Sequence, residues 1–204
     1  MESKTLRLVE CALMVAISVA LSYFTRFFVM PLGGSITICG MLPVLLAAYR
    51  HGIKWGLATG FVFAVIELIL DIGALSGWGL TPQSLVGSLF FDYLIAFTCL
   101  GFAGIYGRGY GKMLLGMTTA VLLRLVSHVI SGAIFFASWM PKDWAKSFVW
   151  YIAHSAHTRD SLLAFTNNVW LYSVAYNALF LIPDLVICLI VASALYKPLK
   201  KYLA

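Results

Sequence analysis

Charged residues are scarce in this sequence: only 11% of its 204 residues are Asp, Glu, Lys or Arg, whereas about 25% is usual for a soluble domain. With 62% hydrophobic residues, the chain has too little polar surface to cover a soluble fold. The composition therefore indicates an integral membrane protein. It leaves no room for a separate soluble catalytic or nucleotide-binding domain, so we expect a single integral membrane domain over residues 1–204.

Cysteine is also scarce, and the four thiols follow no pairing pattern. Cys11, Cys39, Cys99 and Cys188 lie in or beside apolar segments without CxxC spacing, which favours packing roles over a disulfide or a metal site. Enzyme patterns such as GxSxG and HExxH are missing. The segment GRGYGK, residues 107–112, lacks the spacing and the Ser/Thr of a phosphate loop. We therefore expect no enzyme activity, no catalytic residues and no cofactor.

Most of the sequence consists of long apolar runs that contain few charged residues. A membrane-spanning helix needs roughly 20 apolar residues, and six runs are candidates, the second and third being short: 8–30, 36–49, 55–70, 85–106, 113–138 and 171–196. The first run is longer than a signal-peptide core, and no small-residue cleavage site follows it, so we interpret it as a span. The sequence therefore predicts an all-α membrane protein with six transmembrane helices.

The positive charges predict which side of the membrane each loop faces. Lys and Arg near span ends are retained in the cytoplasm. Nine of the 14 lie at one end of the predicted bundle: Lys4, Arg7, Arg50, Lys54, Arg108, Lys112, Lys197, Lys200 and Lys201. Both the N-terminus and the C-terminus are therefore predicted to be cytoplasmic. Because these cations are scattered over loops, they form no stripe for nucleic acid, and we expect no nucleic-acid partner.

Asp92, Arg124 and His128 are ionisable residues inside apolar runs. An ionisable residue within lipid marks a functional site by default. At about 1.5 Å per residue, Asp92 lies roughly 10 Å and His128 roughly 15 Å from the outer ends of their spans. Arg124, His128 and Gly132 recur every four residues and so share one stripe of the fifth helix, where Gly132 leaves space beside the histidine.

Aromatic and amide side chains lie at a similar depth. Phe136 continues the stripe one turn outward, where its ring could stack on a planar ligand. Tyr172 and Asn177 lie in the outer half of the sixth span, and the Asn177 amide offers both donors and acceptors to a heteroaromatic ring. Polar groups from several helices thus converge, which predicts a substrate pocket open to the outside.

Structural roles remain open for each of these residues taken alone. Asp92 could pair with Arg124 as a structural ion pair, and His128 could serve only as an interhelical hydrogen-bonding residue. Tyr172 could belong to the aromatic belt at the membrane interface, and Phe136 could simply pack.

Two further features also allow alternatives. Glu67 lies near the outer end of the third span and could face water. In the long outer loop, residues 139–170, His154, His157 and Asp160 recur at i, i+3 and i+6, and on a helix they could hold a metal. Solvated loop residues are the simpler interpretation, and we predict no metal site.

Small residues form a ladder along the first helix. Ala12, Ala16 and Ala20 are spaced four residues apart, which allows another helix to approach closely. That helix could belong to the same bundle or to a partner protein.

Several motifs follow one another over nearly the whole chain: PLGGSIT with MLP, FDYLIAF with LGFAG, RLVSHVISGAIFF, and YSVAYN followed by Pro183. In this order they resemble the thiamine-specific substrate-binding component, or S component, of energy-coupling-factor (ECF) vitamin transporters. The resemblance implies a six-helix bundle in the bacterial plasma membrane that captures thiamine from outside. It also implies partners, namely a membrane coupling subunit and two cytoplasmic ATPases, which alone use ATP.

By position, the resemblance assigns the thiamine-binding residues: Asp92 as the acidic ligand with Tyr93 beside it, Arg124 as the basic residue before the histidine, His128 as that histidine, Phe136 as the stacking aromatic, and Tyr172 and Asn177 at the start of the last helix. The alanine ladder would meet the coupling subunit. The chemistry suits thiamine, because a buried carboxylate stabilises the cationic thiazolium and the amide and histidine suit the aminopyrimidine edge.

Two other functions remain open. The chain could bind a related pyrimidine or thiazole precursor of the vitamin. It could instead be a free-standing secondary transporter in which Asp92 and His128 relay protons, although the sequence has no convincing internal repeat of the kind such transporters show.

Overall fold

The computed structural model describes residues 3–30, 33–139 and 168–203. Within these ranges it contains six helices, one small hairpin and a 3₁₀ turn at Ala137–Trp139. The helices and strands are α1 (Lys4–Phe24), β1 (Phe28–Val29), β2 (Ser35–Ile36), α2 (Leu42–His51), α3 (Ile53–Gly77), α4 (Pro82–Gly104), α5 (Tyr110–Phe135) and α6 (Val169–Leu203). The possible metal residues His154, His157 and Asp160 lie outside the described residues.

Five of the six described helices are long and apolar enough to cross a membrane. The exception is α2, whose ten residues rise only about 15 Å. It begins later than the predicted span 36–49, because residues 35–36 pair in the hairpin. From Leu42 to Tyr49 it is buried throughout, and it packs against all five of the other described helices. The shortest helix is therefore the centre of the bundle.

The first span is also shorter than predicted, because α1 is capped at Phe24. The Thr25 hydroxyl donates to the Leu21 carbonyl over 2.6 Å, and Arg26 Nε donates to the Ser22 carbonyl over 3.0 Å. These bonds satisfy carbonyls that the last turn leaves without helical partners. The third span is longer than predicted, since α3 continues to Gly77. That extension places its acidic residues inside the bundle.

Charged groups tie the predicted cytoplasmic ends of the helices together. Arg50, at the end of α2, holds both carboxylate oxygens of Glu10 in α1, at 2.8 and 3.0 Å. It also donates to the Tyr202 carbonyl near the end of α6, while Arg108 donates to the Arg50 carbonyl over 3.1 Å. The loops predicted to share one side of the membrane therefore meet at one end of the bundle.

The hairpin lies at the opposite end and is held against α6. Tyr176 Oη donates to the Gly33 carbonyl over 3.1 Å, and Thr37 Oγ1 donates to the Asp184 carboxylate over 3.1 Å. Gly34 has a φ of 87°, and a Cβ there would lie 2.6 Å from the Phe180 ring. Glycine is therefore required both by the backbone conformation and by the close approach to α6.

Helix α4 changes its winding where the predicted acidic residue lies. Residues Leu89–Ile95 form a π-helix between two α-helical segments, Pro82–Ser88 and Ala96–Thr98, and the last six residues, Cys99–Gly104, are a 3₁₀ helix. Helical segments with π winding are rare overall, and those that do occur are often found at functional sites. The wider winding brings two consecutive side chains, Asp92 and Tyr93, to the same cavity.

Candidate substrate-binding site

A cavity of about 390 Å³ opens at the hairpin end of the bundle. Its walls come from the hairpin, from Met41 just before α2, and from the other five described helices. Eight residues were predicted from the sequence to bind substrate, and all eight line it: Asp92, Tyr93, Arg124, His128, Gly132, Phe136, Tyr172 and Asn177. The structure therefore brings the predicted residues together in one place, while the ligand that they contact is a separate question.

The ionisable residues of α4 and α5 form one hydrogen-bonded chain. Arg124 Nε lies 3.3 Å from His128 Nε2, and His128 Nδ1 lies 3.0 Å from Asp92 Oδ1. Because arginine can only donate, Nε2 is the acceptor, and the imidazole carries its proton on Nδ1 and donates it to Asp92. The Ser131 hydroxyl donates to the other carboxylate oxygen over 2.7 Å.

These bonds decide between the alternatives left open for Asp92 and His128. In the described part of the chain Asp92 is held by His128 and Ser131, so the alternative of a direct Asp92–Arg124 ion pair is not formed. His128 does link two helices, as its structural alternative required. It also lines the cavity, so the two roles coexist.

The wall made by α5 and α6 presents an oriented amide. Asn177 Nδ2 donates to the Ser173 carbonyl over 2.9 Å and approaches the His128 carbonyl at 3.4 Å. The amide oxygen is the remaining acceptor, available to a donor in the cavity. Gly132 was predicted to leave space beside His128, but the structure gives it a packing role, because a Cβ there would overlap Ser173 Oγ.

Aromatic side chains surround the polar groups. The Arg124 guanidinium lies 4.1 Å above the centre of the Phe97 ring, and Phe63 meets Phe97 edge-on at 5.1 Å. Phe136 and Trp78 also line the cavity. Faces of this kind stack on flat ligands and attract cations.

A second acidic group, absent from the prediction, lies on the wall formed by α1 and α3. Arg26 forms ion pairs of 3.4 Å with Glu67 and with Asp71, and Tyr93 Oη donates to Asp71 over 3.1 Å. Glu67 is only 3% exposed, which excludes the alternative that it faces water. Glu67 and Asp71 are spaced i and i+4 in an apolar run, and this pattern was the signal available in the sequence.

Asp184 is a further acidic cavity residue that was missed. It is 4% exposed and accepts hydrogen bonds from Thr37. Like Asp92, it is an acidic residue inside a long apolar run, so the same criterion applied to the last span identifies it.

The charges lining the described cavity do not balance. Four carboxyl groups face two guanidinium groups: Glu67, Asp71, Asp92 and Asp184 against Arg26 and Arg124. With all four carboxylates ionised and His128 neutral, the walls carry two excess negative charges. In a medium of low dielectric such an excess favours a cationic ligand.

The alanine ladder lies on the outside of the bundle. Ala12, Ala16 and Ala20 are all exposed, as are the neighbouring Leu13 and Ile17. Packing of these alanines inside the bundle, one of the two interpretations, is therefore wrong. Their surface faces lipid or another protein.

Comparison with known proteins identifies relatives over most of the chain. The family model "Thiamine transporter protein" matches residues 8–155. The thiamine transporter ThiT of Bacillus subtilis is 33% identical over 96% of this chain and 93% of its own length. ThiT of Lacticaseibacillus paracasei is 25% identical over 83% of this chain and 76% of its own.

A solved structure shows the same fold. ThiT from Listeria monocytogenes superimposes with a TM-score of 0.69 over 99% of both chains, at 18% sequence identity. The overall fold of this chain is therefore shared with an experimentally determined structure.

Proposed function

This chain belongs to the thiamine transporter protein family, and we propose that it captures thiamine from the outer side of the membrane as the substrate-binding component of an ATP-driven ECF importer. It is a multi-pass protein of the cell membrane, and its family is one of transporters and not of enzymes. The remaining questions are which residues hold the vitamin and which proteins drive its uptake.

The observation that carries the assignment is the cavity at the hairpin end of the bundle, whose walls hold four carboxyl groups and two guanidinium groups. Its volume of about 390 Å³ lies in the range of small-molecule sites, roughly 300–1,000 Å³. Thiamine has two planar rings joined by a methylene group, is permanently cationic and is uncharged outside its thiazolium ring. A cavity with excess carboxylates and aromatic walls fits those three properties.

The two rings of thiamine match different parts of the cavity. We place the aminopyrimidine against α5 and α6, where the Asn177 amide oxygen accepts from the amino group and Tyr172 lies beside it. We place the thiazolium next to Asp92, whose carboxylate is already oriented by His128 and Ser131. Phe136 stacks on one of the rings. Because the carboxylate is already oriented, little free energy of reorganisation is needed when the cation binds.

The energy for uptake comes from partner proteins in this proposal. The chain, taken as one binding domain over residues 1–204, supplies no nucleotide-binding loop, so two cytoplasmic ATPases hydrolyse ATP. The exposed ladder of Ala12, Ala16 and Ala20 lets a helix of the membrane coupling subunit approach α1 closely. The remaining outward surface contacts the lipid bilayer.

Equilibrium titration tests the first half of the proposal. Trp78 lines the cavity, so the tryptophan fluorescence of the purified chain should change as thiamine is added. We expect saturation at one thiamine per chain, with weaker binding of the isolated hydroxymethylpyrimidine, which lacks the cation. Equal or tighter binding of that precursor would favour the alternative substrate.

Uptake into proteoliposomes tests the second half. The chain alone, given an inward proton gradient, should bind thiamine without accumulating it. Accumulation should require the coupling subunit, both ATPases and ATP. Uptake by the chain alone under a proton gradient would instead identify a secondary transporter.

A further inference from the structure

Glu67 has one carboxylate oxygen without a hydrogen bond. Its Oε2 lies 3.4 Å from Arg26 Nη2, and the Ser22 hydroxyl lies beside the carboxyl group, whereas Oε1 has no hydrogen-bond partner in the described part of the chain. Among the described residues that line the cavity, it is the one buried side-chain oxygen or nitrogen in this condition. A buried acceptor without a donor is costly, more so when it carries charge.

The position of Glu67 separates it from the groups assigned to the aminopyrimidine. Helix α3, which carries Glu67, packs against α1, α2 and α4, while α5 and α6 pack against each other. Glu67 and Asn177 therefore lie on different walls of one cavity. A ligand whose aminopyrimidine meets Asn177 extends its other end toward Glu67.

The other end of thiamine is a hydroxyethyl arm on the thiazolium ring, and its hydroxyl is the one donor there. The geometry points to Glu67 as the residue that accepts this hydroxyl through Oε1 and so makes the site specific for the free alcohol. This inference rests on the proposed function and adds a recognition point on α3. Asp92 stabilises the positive charge of the ligand, and Glu67 accepts a hydrogen bond from its alcohol.

The neighbours of Glu67 also predict that the site discriminates against phosphate esters of thiamine. Asp71 lies one helical turn further out and shares Arg26 with Glu67. A phosphate ester on the hydroxyethyl arm would place its negative charges against these two carboxylates. We therefore expect thiamine monophosphate to bind at least about ten-fold more weakly than thiamine.

The test compares thiamine with an analogue whose hydroxyethyl arm is replaced by ethyl. Both are cations of nearly equal size, so their affinity ratio isolates the hydroxyl. For the wild-type chain we expect thiamine to bind about ten-fold more tightly or better, since hydrogen bonds to charged acceptors are the stronger ones. In Glu67→Leu the ratio should fall below about two-fold.

Asp71→Asn is the matched control. It removes one negative charge from the same wall, but both Asp71 oxygens already have partners, in Arg26 and Tyr93. It should weaken thiamine and the ethyl analogue together and leave their ratio as in the wild type. If Glu67→Leu does not fold, Glu67→Gln should still narrow the preference for thiamine over its monophosphate.

The outcomes separate the two proposals. A wild-type chain that binds thiamine and the ethyl analogue equally, or a Glu67→Leu variant that keeps the full ratio, overturns the role of Glu67 while the thiamine site stands. A wild-type chain that binds neither ligand overturns the proposed function itself.

Discussion

The two ends of the bundle use buried polar groups in opposite ways. At the predicted cytoplasmic end, Glu10 is held by Arg50 through both oxygens and lies 2.8 Å from His51. At the outer end, Asp92 and Glu67 are oriented by neighbours and line the cavity, and Glu67 Oε1 has no hydrogen-bond partner among the described residues. Groups that satisfy one another stabilise the fold, whereas groups held in place with capacity to spare are available to a ligand.

This contrast also explains the placement of charge. The inner cluster joins α1, α2 and α6, and the Glu10 side chain in it stays 28% exposed, so it keeps part of its hydration. Among the outer groups, Glu67, Asp184 and Arg124 are almost fully buried, where an uncompensated charge costs more. An excess of buried carboxylates is destabilising unless a cationic ligand neutralises it. We therefore assign the outer end to ligand binding.

The largest effect is expected from neutralising Asp92. Asp92→Asn should lower thiamine affinity by about 2–4 kcal/mol, or roughly 30- to 1,000-fold, because a charge interaction in low dielectric is lost. Isothermal titration calorimetry measures the change. The uncharged hydroxymethylpyrimidine is the control ligand, and its affinity should change much less. An equal loss for both ligands would mean that the substitution disturbs the site as a whole.

A methyl group at Gly132 should disturb the packing of α5 on α6. The added Cβ in Gly132→Ala overlaps Ser173 Oγ and comes within 3.6 Å of Asn177 Nδ2, so we expect a loss of about 1–3 kcal/mol of stability together with weaker binding. Thermal unfolding in detergent measures the first effect. The control is Gly73→Ala in α3, where no heavy atom lies within 4 Å; equal losses in both variants would contradict the packing role.

At the inner end, removing a charge should affect stability and leave binding unchanged. Glu10→Gln weakens the contacts with Arg50 and His51 and should cost about 1–2 kcal/mol, since the pair is only partly buried. Thiamine affinity should stay within two-fold. Lys54→Gln, at an exposed position of the same end, should change neither quantity. A clear loss of thiamine affinity in Glu10→Gln would remove the distinction between the two ends.

The smallest effect is expected from Phe136. Its truncation in Phe136→Ala removes one stacking face and should weaken thiamine binding by about 0.5–1.5 kcal/mol. Phe136→Trp should restore or strengthen binding. Phe90→Ala is the matched control, because Phe90 is 52% exposed on the outside of α4. Unchanged affinity in Phe136→Ala would return this residue to a packing role.

The predictable part of the site was the part signalled by local chemistry. Asp92, Arg124 and His128 stood out because each is ionisable inside an apolar run, and the four-residue spacing correctly placed Arg124, His128 and Gly132 on one stripe. Glu67 is also an acidic residue in an apolar run. Because the third span was predicted to end near residue 70, Glu67 was placed at the outer end of that span. Once α3 is seen to reach Gly77, the same glutamate is interior.

Other features depended on contacts between distant parts of the chain. Nothing local to Arg26 distinguishes a loop cation from one that pairs with α3, forty residues later. The brevity of α2 and its burial follow from the five helices around it, and a run of apolar residues does not reveal them. The close packing of α4 on α3 likewise joins distant residues, because Gly60 admits no side chain beside the Phe97 carbonyl.

The most direct measurement is a crystal structure of the chain grown with thiamine, in which anomalous scattering locates the thiazolium sulfur. We expect the sulfur inside the outer cavity beside Asp92, with the aminopyrimidine at Asn177 and the hydroxyl at Glu67. Thiamine bound elsewhere on the chain, or with its thiazolium directed away from both carboxylates, would contradict this expectation.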